Sequence, residues 1–253
     1  MASVILGLTT LLARSGAEAG RMISEGGYDG LLLDLPEELA GAVEALRGGA
    51  PLESAEEAVG EMLGAYSESW LYRNRPVLDS LRYLAEASVV YTGTLELEST
   101  IMDDRMSIAL LEYRTMAGRV VVRQWRETLA RASLNLQDAV TAQAGRVLST
   151  VHAGGRWLCI AGVHARRLEE MLRSEGHSCG AILLGRPYLG TPLEALSAEL
   201  AEGSPSDERV RYLVELHLAF VRDYVMVSPD LDDAYDRWLE NGEWAKLYHQ
   251  GER

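Results

Sequence analysis

Five short apolar runs constrain the fold of this chain more than any other feature of its sequence. None of them alternates cleanly between apolar and polar residues, and turn-forming residues bound each one. Continuous runs of this kind are typical of parallel strands that are covered on both faces of a sheet. The five runs are SVILGL (3–8), YDGLLLDL (28–35), ASVVYTG (87–93), RWLCIAG (156–162) and GAILLG (180–185).

Amphipathic stretches with helical spacing separate these runs. Within 164–175, Ala165, Leu168, Met171 and Leu172 recur on one side of a helix, and charged residues lie on the other side. Alternating strands and helices predict an α/β fold with a mainly parallel sheet and crossover helices. The remaining stretches are 11–26, 37–47, 54–71 and 77–86.

Two longer segments are predicted to be helical throughout. Residues 99–152 read as a long helical insertion with at least two helices, separated near Gly118 or near residues 133–135. Residues 207–250 read as C-terminal helices, because apolar residues recur there at helical spacing.

The domain organisation follows from these segments. We expect an α/β domain over residues 1–202 that includes the helical insertion at 99–152. The Gly- and Ser-containing segment 202–206 is predicted to be a linker. Residues 203–253 are then a C-terminal helical segment packed on the α/β domain.

The charge balance limits the classes of partner. The chain has 38 Asp and Glu residues against 24 Lys and Arg residues, a net charge of −14. Binding to nucleic acid phosphates requires clustered Lys and Arg, so we expect no nucleic-acid partner. No stretch reaches the roughly 18 apolar residues of a membrane helix, so we expect no membrane segment.

The cysteines and the N-terminus indicate a cytoplasmic protein. Cys159 lies in an apolar run and Cys179 in a polar turn, which does not suggest a disulfide framework. The start MASVILGL has neither the basic beginning nor the cleavage site of a signal peptide, and we interpret it as the first β-strand.

Polar side chains follow several of the apolar runs. Ligands of open α/β sheets bind beyond the carboxyl ends of the strands, so these side chains are expected to share one crevice. The candidates are Thr9 and Thr10 after the first run, Asp34 and Glu37 after the second, His164 after the fourth and Arg186 after the fifth.

Each main candidate has a structural alternative. A carboxylate at the end of an apolar strand is costly to bury without a partner, which favours a functional Asp34. Asp34 serves equally well as the N-cap of a helix beginning near Pro36. His164 is either a functional imidazole or a side chain that bonds a backbone carbonyl or faces solvent. Thr9 and Thr10 are favoured as caps over ligands.

Arg114 lies in a second notable stretch, SIALLEYRTMAGRVVVRQW (107–125). An arginine on a half-buried helix can reach into a crevice and hold an anion. A surface salt bridge is the alternative, and it is slightly favoured.

Several well-known catalytic motifs do not occur in the sequence. It contains no HExxH, CxxC, GxSxG or GxxxxGK, and no GxGxxG follows the first run. The acyl-hydrolase, NTPase and Rossmann dinucleotide interpretations therefore lose their best support.

Four segments together resemble the TraB/PrgY family, which belongs to a wider group with the erythromycin-esterase-like, ChaN-like and TIKI-like proteins. They are the strand ending in LGLTT, the strand YDGLLLDLPEEL, the helical EYRTMA and the strand-turn IAGVH. The resemblance covers residues 3–185. It implies an α/β fold with a helical insertion and, for some members, metal-dependent hydrolysis.

The resemblance also implies roles for individual residues. Asp34 matches the acidic position, Arg114 the arginine and His164 the second histidine, so these three are the expected catalytic residues. His164 and Asp34 are then the expected ligands of a divalent metal. The sequence departs from the pattern where Thr10 stands in place of the first histidine, and Ala161 in place of a glycine. Asp34 is one methylene shorter than the family's Glu.

Two functions stay open on this basis. The first is a binding or regulatory protein on a TraB-like scaffold without a complete metal site, with a homo-oligomer or a protein partner expected. Thr10 at the histidine position slightly favours it, since a catalytic metal generally needs about three protein ligands. The alternative is a metal-dependent hydrolase acting on a peptide or ester bond, with Arg114 or Arg186 holding an anionic group.

Overall fold

A computed structural model describes residues 2–84, 87–151, 154–162 and 166–248. Its centre is a five-stranded sheet in the order β3-β2-β4-β1-β5, and every pair of neighbouring strands is parallel. The predicted parallel α/β architecture is therefore confirmed. The strands are β1 (Ala2–Thr9), β2 (Gly30–Pro36), β3 (Ser88–Gly93), β4 (Gly155–Gly162) and β5 (Ser178–Leu183).

Helices connect the strands and follow the last one. The predicted break in the long helical insertion lies near Gly118, between α5 and α6. The predicted linker at 202–206 corresponds to the turn between α8 and α9. The helices are α1 (Ala13–Glu25), α2 (Ala40–Arg47), α3 (Leu52–Leu63), α4 (Ser67–Leu81), α5 (Leu95–Met116), α6 (Val122–Val151), α7 (Arg166–Ser174), α8 (Pro192–Glu202), α9 (Asp207–Asp223) and α10 (Leu231–Glu240).

One helix boundary was predicted wrongly. The sequence pattern separates two helices at residues 72–76, but the structure ends α3 at Leu63 and runs α4 through Pro76. Gly64 has a φ of +53°, a left-handed conformation that glycine adopts readily and that terminates a helix. Pro76 removes one helical hydrogen bond, and tertiary packing of α4 compensates for that loss.

The sheet is covered on both faces. Leu6 of β1 and Cys159 of β4 belong to a buried cluster with Val147 of α6 and Leu168 of α7. The neighbouring residue of β4, Ile160, points to the opposite face because side chains alternate along a strand. That face carries α1 and α4.

Helices α1 and α4 pack unusually closely because α1 presents two glycines. A Cβ on Gly16 would lie 1.8 Å from the carbonyl oxygen of Arg73, and one on Gly20 would lie 2.5 Å from that of Pro76. No other residue allows two backbones to approach in this way. The position of Arg73 over the sheet therefore depends on the glycines of α1.

The chain forms two compact units. The first contains the described residues of 1–100 and 137–186, and so includes the whole sheet. The second contains those of 101–136 and 187–253, which are helical. In the second unit Asp104 of α5 accepts hydrogen bonds from Arg131 Nε (3.3 Å) and Asn135 Nδ2 (2.8 Å) of α6. Phe220 of α9 packs edge-on against Trp238 of α10.

Within the described ranges, no helix is both long enough and apolar enough to cross a membrane.

Candidate functional site

A small polar pocket lies at the carboxyl ends of β1, β2 and β4, in the first unit. Its volume is about 60 Å³. Strand β4 lies between β2 and β1, and α7, the helix that follows β4 in the chain, packs on the face opposite to the one that carries α1 and α4. Connections that diverge in this way open a crevice at the strand ends, the usual ligand position in such sheets. The lining residues are Thr9, Leu33, Asp34, Leu35, Arg73, Asn74, Val77, Glu98, Ile160, Ala161 and Gly162.

Asp34 is the acid of this pocket. It lies near the end of β2, partly buried, and its carboxylate accepts a hydrogen bond from the backbone N–H of Gly162. Burial raises the pKa of Asp34 above its usual range, whereas the Gly162 hydrogen bond and the positive charge of Arg73 lower it. Burial is the largest of these effects, so the net pKa is raised and Asp34 holds a proton more readily than an exposed aspartate.

Arg73 is the cation of the pocket and lies on α4. Burial lowers its pKa, and the negative charges of Glu98 and Asp34 oppose that change. An arginine side chain keeps its proton under all ordinary conditions, so the guanidinium remains a fixed positive charge in a pocket that two carboxylates also line.

Neutral polar groups complete the wall. Thr9 Oγ1 donates a hydrogen bond to the carbonyl oxygen of Ala161 at 3.2 Å, which ties β1 to β4 at the mouth. Asn74 Nδ2 donates to the carbonyl oxygen of Trp70 at 3.1 Å, one turn earlier in α4. Both side chains are therefore oriented by backbone acceptors before any ligand arrives.

A buried hydrogen-bonded chain supports the strand segment that carries Asp34. Thr92 Oγ1 of β3 donates to the carbonyl oxygen of Leu33 at 3.0 Å, and it accepts from Gln143 Nε2 of α6 at 3.1 Å. Both polar side chains are buried. These hydrogen bonds from β3 and α6 fix the backbone immediately before Asp34.

The structure brings two of the predicted site residues together, Asp34 and Thr9. Thr10 is only 3% exposed and does not line the pocket. Its Oγ1 accepts from the Leu12 N–H at 3.2 Å, and its carbonyl oxygen accepts from Ser15 Oγ. This is the turn-capping role favoured from the sequence.

The other candidates lie outside the pocket lining. Glu37 is exposed in a 3-10 turn after β2, and its carboxylate pairs with Arg146 at 3.5 Å. Arg186 is exposed in the turn after β5. Arg114 is exposed on α5 in the second unit. His164 lies outside the described residues. The roles expected for these residues remain predictions.

Sequence reasoning missed Arg73, Asn74 and Glu98. A signal for Arg73 was present, because it lies three residues after Trp70 and four before Val77, both buried on α4. A charged residue on the buried side of an amphipathic helix indicates a partner. Glu98 follows β3 closely and could have been found by the strand-end argument that identified Asp34.

The described residues offer no ready-made metal site. They contain no group of three or more His, Cys, Asp and Glu side chains able to hold an ion. The surroundings of Asp34 do not suit one either, since the guanidinium of Arg73 already provides the positive charge that a metal would bring. The described part of the site therefore does not fit the expected divalent metal.

Comparison with family models, with curated proteins and with solved structures gives no match for this chain. The fold and the pocket therefore carry the functional argument by themselves.

Proposed function

We propose that this chain is a binding or regulatory protein that takes a small polar group into the pocket around Asp34 and Arg73. The observation that carries the proposal is that a fixed guanidinium and two carboxylates line one small pocket at the strand ends of a parallel sheet. Such strand-end crevices are where open α/β sheets hold their ligands.

The size of the pocket limits what enters it. A buried water needs roughly 10–15 Å³, so about 60 Å³ accommodates only a few non-hydrogen atoms. The site therefore takes the tip of a ligand, or a very small molecule.

The charges limit the chemistry of that group. Asp34 and Glu98 offer acceptors, whereas Arg73 offers donors, and one guanidinium does not outweigh two carboxylates. A simple anion is disfavoured by this balance. A neutral group that both donates and accepts hydrogen bonds, such as a carboxamide, fits both halves of the site.

A metal-dependent hydrolase for peptide or ester bonds is the second candidate. The raised pKa of Asp34 favours it, because a carboxyl group with a raised pKa is suited to general acid–base catalysis. The proximity of Arg73 to Asp34 opposes it, since two cations beside one carboxylate repel each other.

Fragment binding tests the proposal. Acetamide, acetate and methylguanidinium have similar sizes and differ in charge, and saturation-transfer NMR detects weak binding of each to the purified protein. We expect acetamide to give the strongest signal, and Arg73→Gln and Asp34→Asn to remove it. Arg75→Gln is the matched control, because Arg75 lies on the same helix but is exposed and pairs with Glu56.

The outcomes separate the two candidates. Absence of an acetamide signal, or a signal that survives both pocket variants, contradicts the binding proposal. Uptake of one Zn²⁺, Mn²⁺ or Co²⁺ per chain that is lost in Asp34→Asn, measured by elemental analysis after dialysis, supports the hydrolase instead. Thermal unfolding of each variant shows whether it remains folded.

A further inference from the structure

The second unit contains a strongly basic segment in an otherwise acidic chain. Residues 113–126 include four arginines and no Asp or Glu, although the whole chain has a net charge of −14. The segment forms the end of α5, the turn to α6 and the first residues of α6. Tyr113 and Met116 are apolar side chains within it that remain exposed. Exposed apolar residues among like charges are a typical feature of an interaction surface.

A broad groove lies between this turn and one face of α9. Its volume is about 730 Å³. Met116, Val121 and Leu218 contribute apolar surface to it, and Arg119 and Arg211 contribute positive charge. Neither guanidinium forms an ion pair within the described part of the chain. The groove thus combines an apolar lining with two arginines that lack an acidic partner among the described residues, while Glu215 also lines it and Arg222 at its end pairs with Asp223.

A segment of opposite character begins at the last residue of α9 and extends into α10. Residues 223–233 include four Asp and no Lys or Arg. Met226 and Val227 in the same segment are 70% and 60% exposed. Arg222, which lines the end of the groove, is the second-last residue of α9 and precedes Met226 by four residues. The second unit therefore carries two neighbouring surfaces whose charges are complementary and whose apolar residues are both exposed.

We propose that a second copy of this chain occupies the groove, with residues 223–233 of each copy against the arginine-lined groove of the other. The two surfaces lie side by side on one unit, so a single two-fold axis satisfies both contacts at once and closes the assembly as a dimer. Met226 and Val227 supply the apolar anchors, and the aspartates face Arg119 and Arg211.

Complementary charge decides between this occupant and others. A nucleic acid or an anionic membrane would have to approach past the acidic segment 223–233, which lies beside the groove. A second copy instead uses that segment, and its aspartates offset the arginines. The concave form of the groove also suits an inserted side chain better than a flat membrane surface.

The solution mass of the full chain tests the dimer. Multi-angle light scattering after gel filtration, over a range of loading concentrations, is expected to give twice the mass of one chain at high concentration. Met226→Asp removes an exposed apolar anchor, and Arg211→Glu reverses a groove charge. Each is expected to raise the dimer dissociation constant at least about tenfold. Arg21→Glu is the control, since Arg21 is an exposed arginine of α1 in the first unit.

Three results are informative. Dissociation by both groove variants but not by Arg21→Glu supports the proposed interface. A wild-type chain that stays monomeric at every concentration overturns it. A dimer that neither Met226→Asp nor Arg211→Glu weakens also overturns it, because the contact must then lie elsewhere. Both substituted side chains are exposed, so the circular dichroism spectra and melting temperatures of the two variants should match those of the wild type.

Discussion

The close approach of α1 to α4 makes a quantitative prediction about Gly16. A Cβ at this position would lie 1.8 Å from the carbonyl oxygen of Arg73, whereas ordinary contact needs at least 3.4 Å. The two helices would have to separate by about 1.6 Å at this point. Overpacking typically costs about 1–3 kcal/mol, and the better helix propensity of alanine returns about 0.5–1 kcal/mol. Because the clash is with backbone and the displacement is large, the upper end of the overpacking cost applies, and Gly16→Ala should destabilise the protein by about 2 kcal/mol.

Two further glycines provide comparisons for the stability change expected at Gly16. At Gly20 the corresponding distance is 2.5 Å, so the required displacement is smaller and Gly20→Ala should cost about 1 kcal/mol. A Cβ on Gly60 in α3 meets nothing within 4 Å. Gly60→Ala should consequently stabilise the protein by about 0.5–1 kcal/mol.

Urea denaturation of the three variants measures these free energies of unfolding. We expect the stability order Gly60→Ala above wild type, then Gly20→Ala, then Gly16→Ala. The displacement at Gly16 also moves Arg73, so acetamide binding should weaken in Gly16→Ala and persist in Gly60→Ala. If Gly16→Ala unfolds at the same urea concentration as Gly60→Ala, the close packing of α1 on α4 is refuted.

Three further substitutions test the interior of the first unit. Burial raises the folded-state pKa of Asp34 above 3.8. The stabilising contribution of Asp34 is therefore complete below pH 3.8 and is lost as the pH rises through the raised pKa. The difference in unfolding free energy between wild type and Asp34→Asn, measured by urea titration, should fall over that window. Thr92→Val leaves the Leu33 carbonyl and the Gln143 amide without their shared hydrogen-bond partner and should lower the free energy of unfolding by about 1–3 kcal/mol. Thr92→Ser keeps a hydroxyl and should lower it less. Equal losses of stability for the two variants would contradict the bridging role of the Thr92 hydroxyl. Among the described residues the buried Tyr91 hydroxyl has no hydrogen-bond partner, so Tyr91→Phe should be neutral or stabilising by up to about 1 kcal/mol, and clear destabilisation in thermal melts would show a missing partner.

The candidate site was predictable only in part. Asp34 could be predicted because its position at the end of an apolar run follows from the chain alone. Arg73 could not be placed at the same pocket, because its distance from Asp34 depends on α4 lying across the sheet. That position is set by Gly16 and Gly20, which are far from Arg73 in the sequence.

The sequence by itself determined the local elements. Continuous apolar runs such as YDGLLLDL became buried parallel strands, since strands covered on both faces require apolar residues at every position. The turn at 202–206 was also local, because it depends on residues that end helices. The sequence left the break of the helical insertion open between Gly118 and residues 133–135, and the structure places it near Gly118.

Only the tertiary structure decided the order of the strands and the composition of the pocket. Strand β4 lies between β1 and β2, although residues 37–154 separate it from β2 in the chain. The pairing of strands that are distant in the chain depends on how all the apolar faces pack together, and no short stretch of sequence determines that packing. For the same reason Arg73 and Glu98, from two different helices, meet Asp34 only after the sheet and its covering helices have assembled.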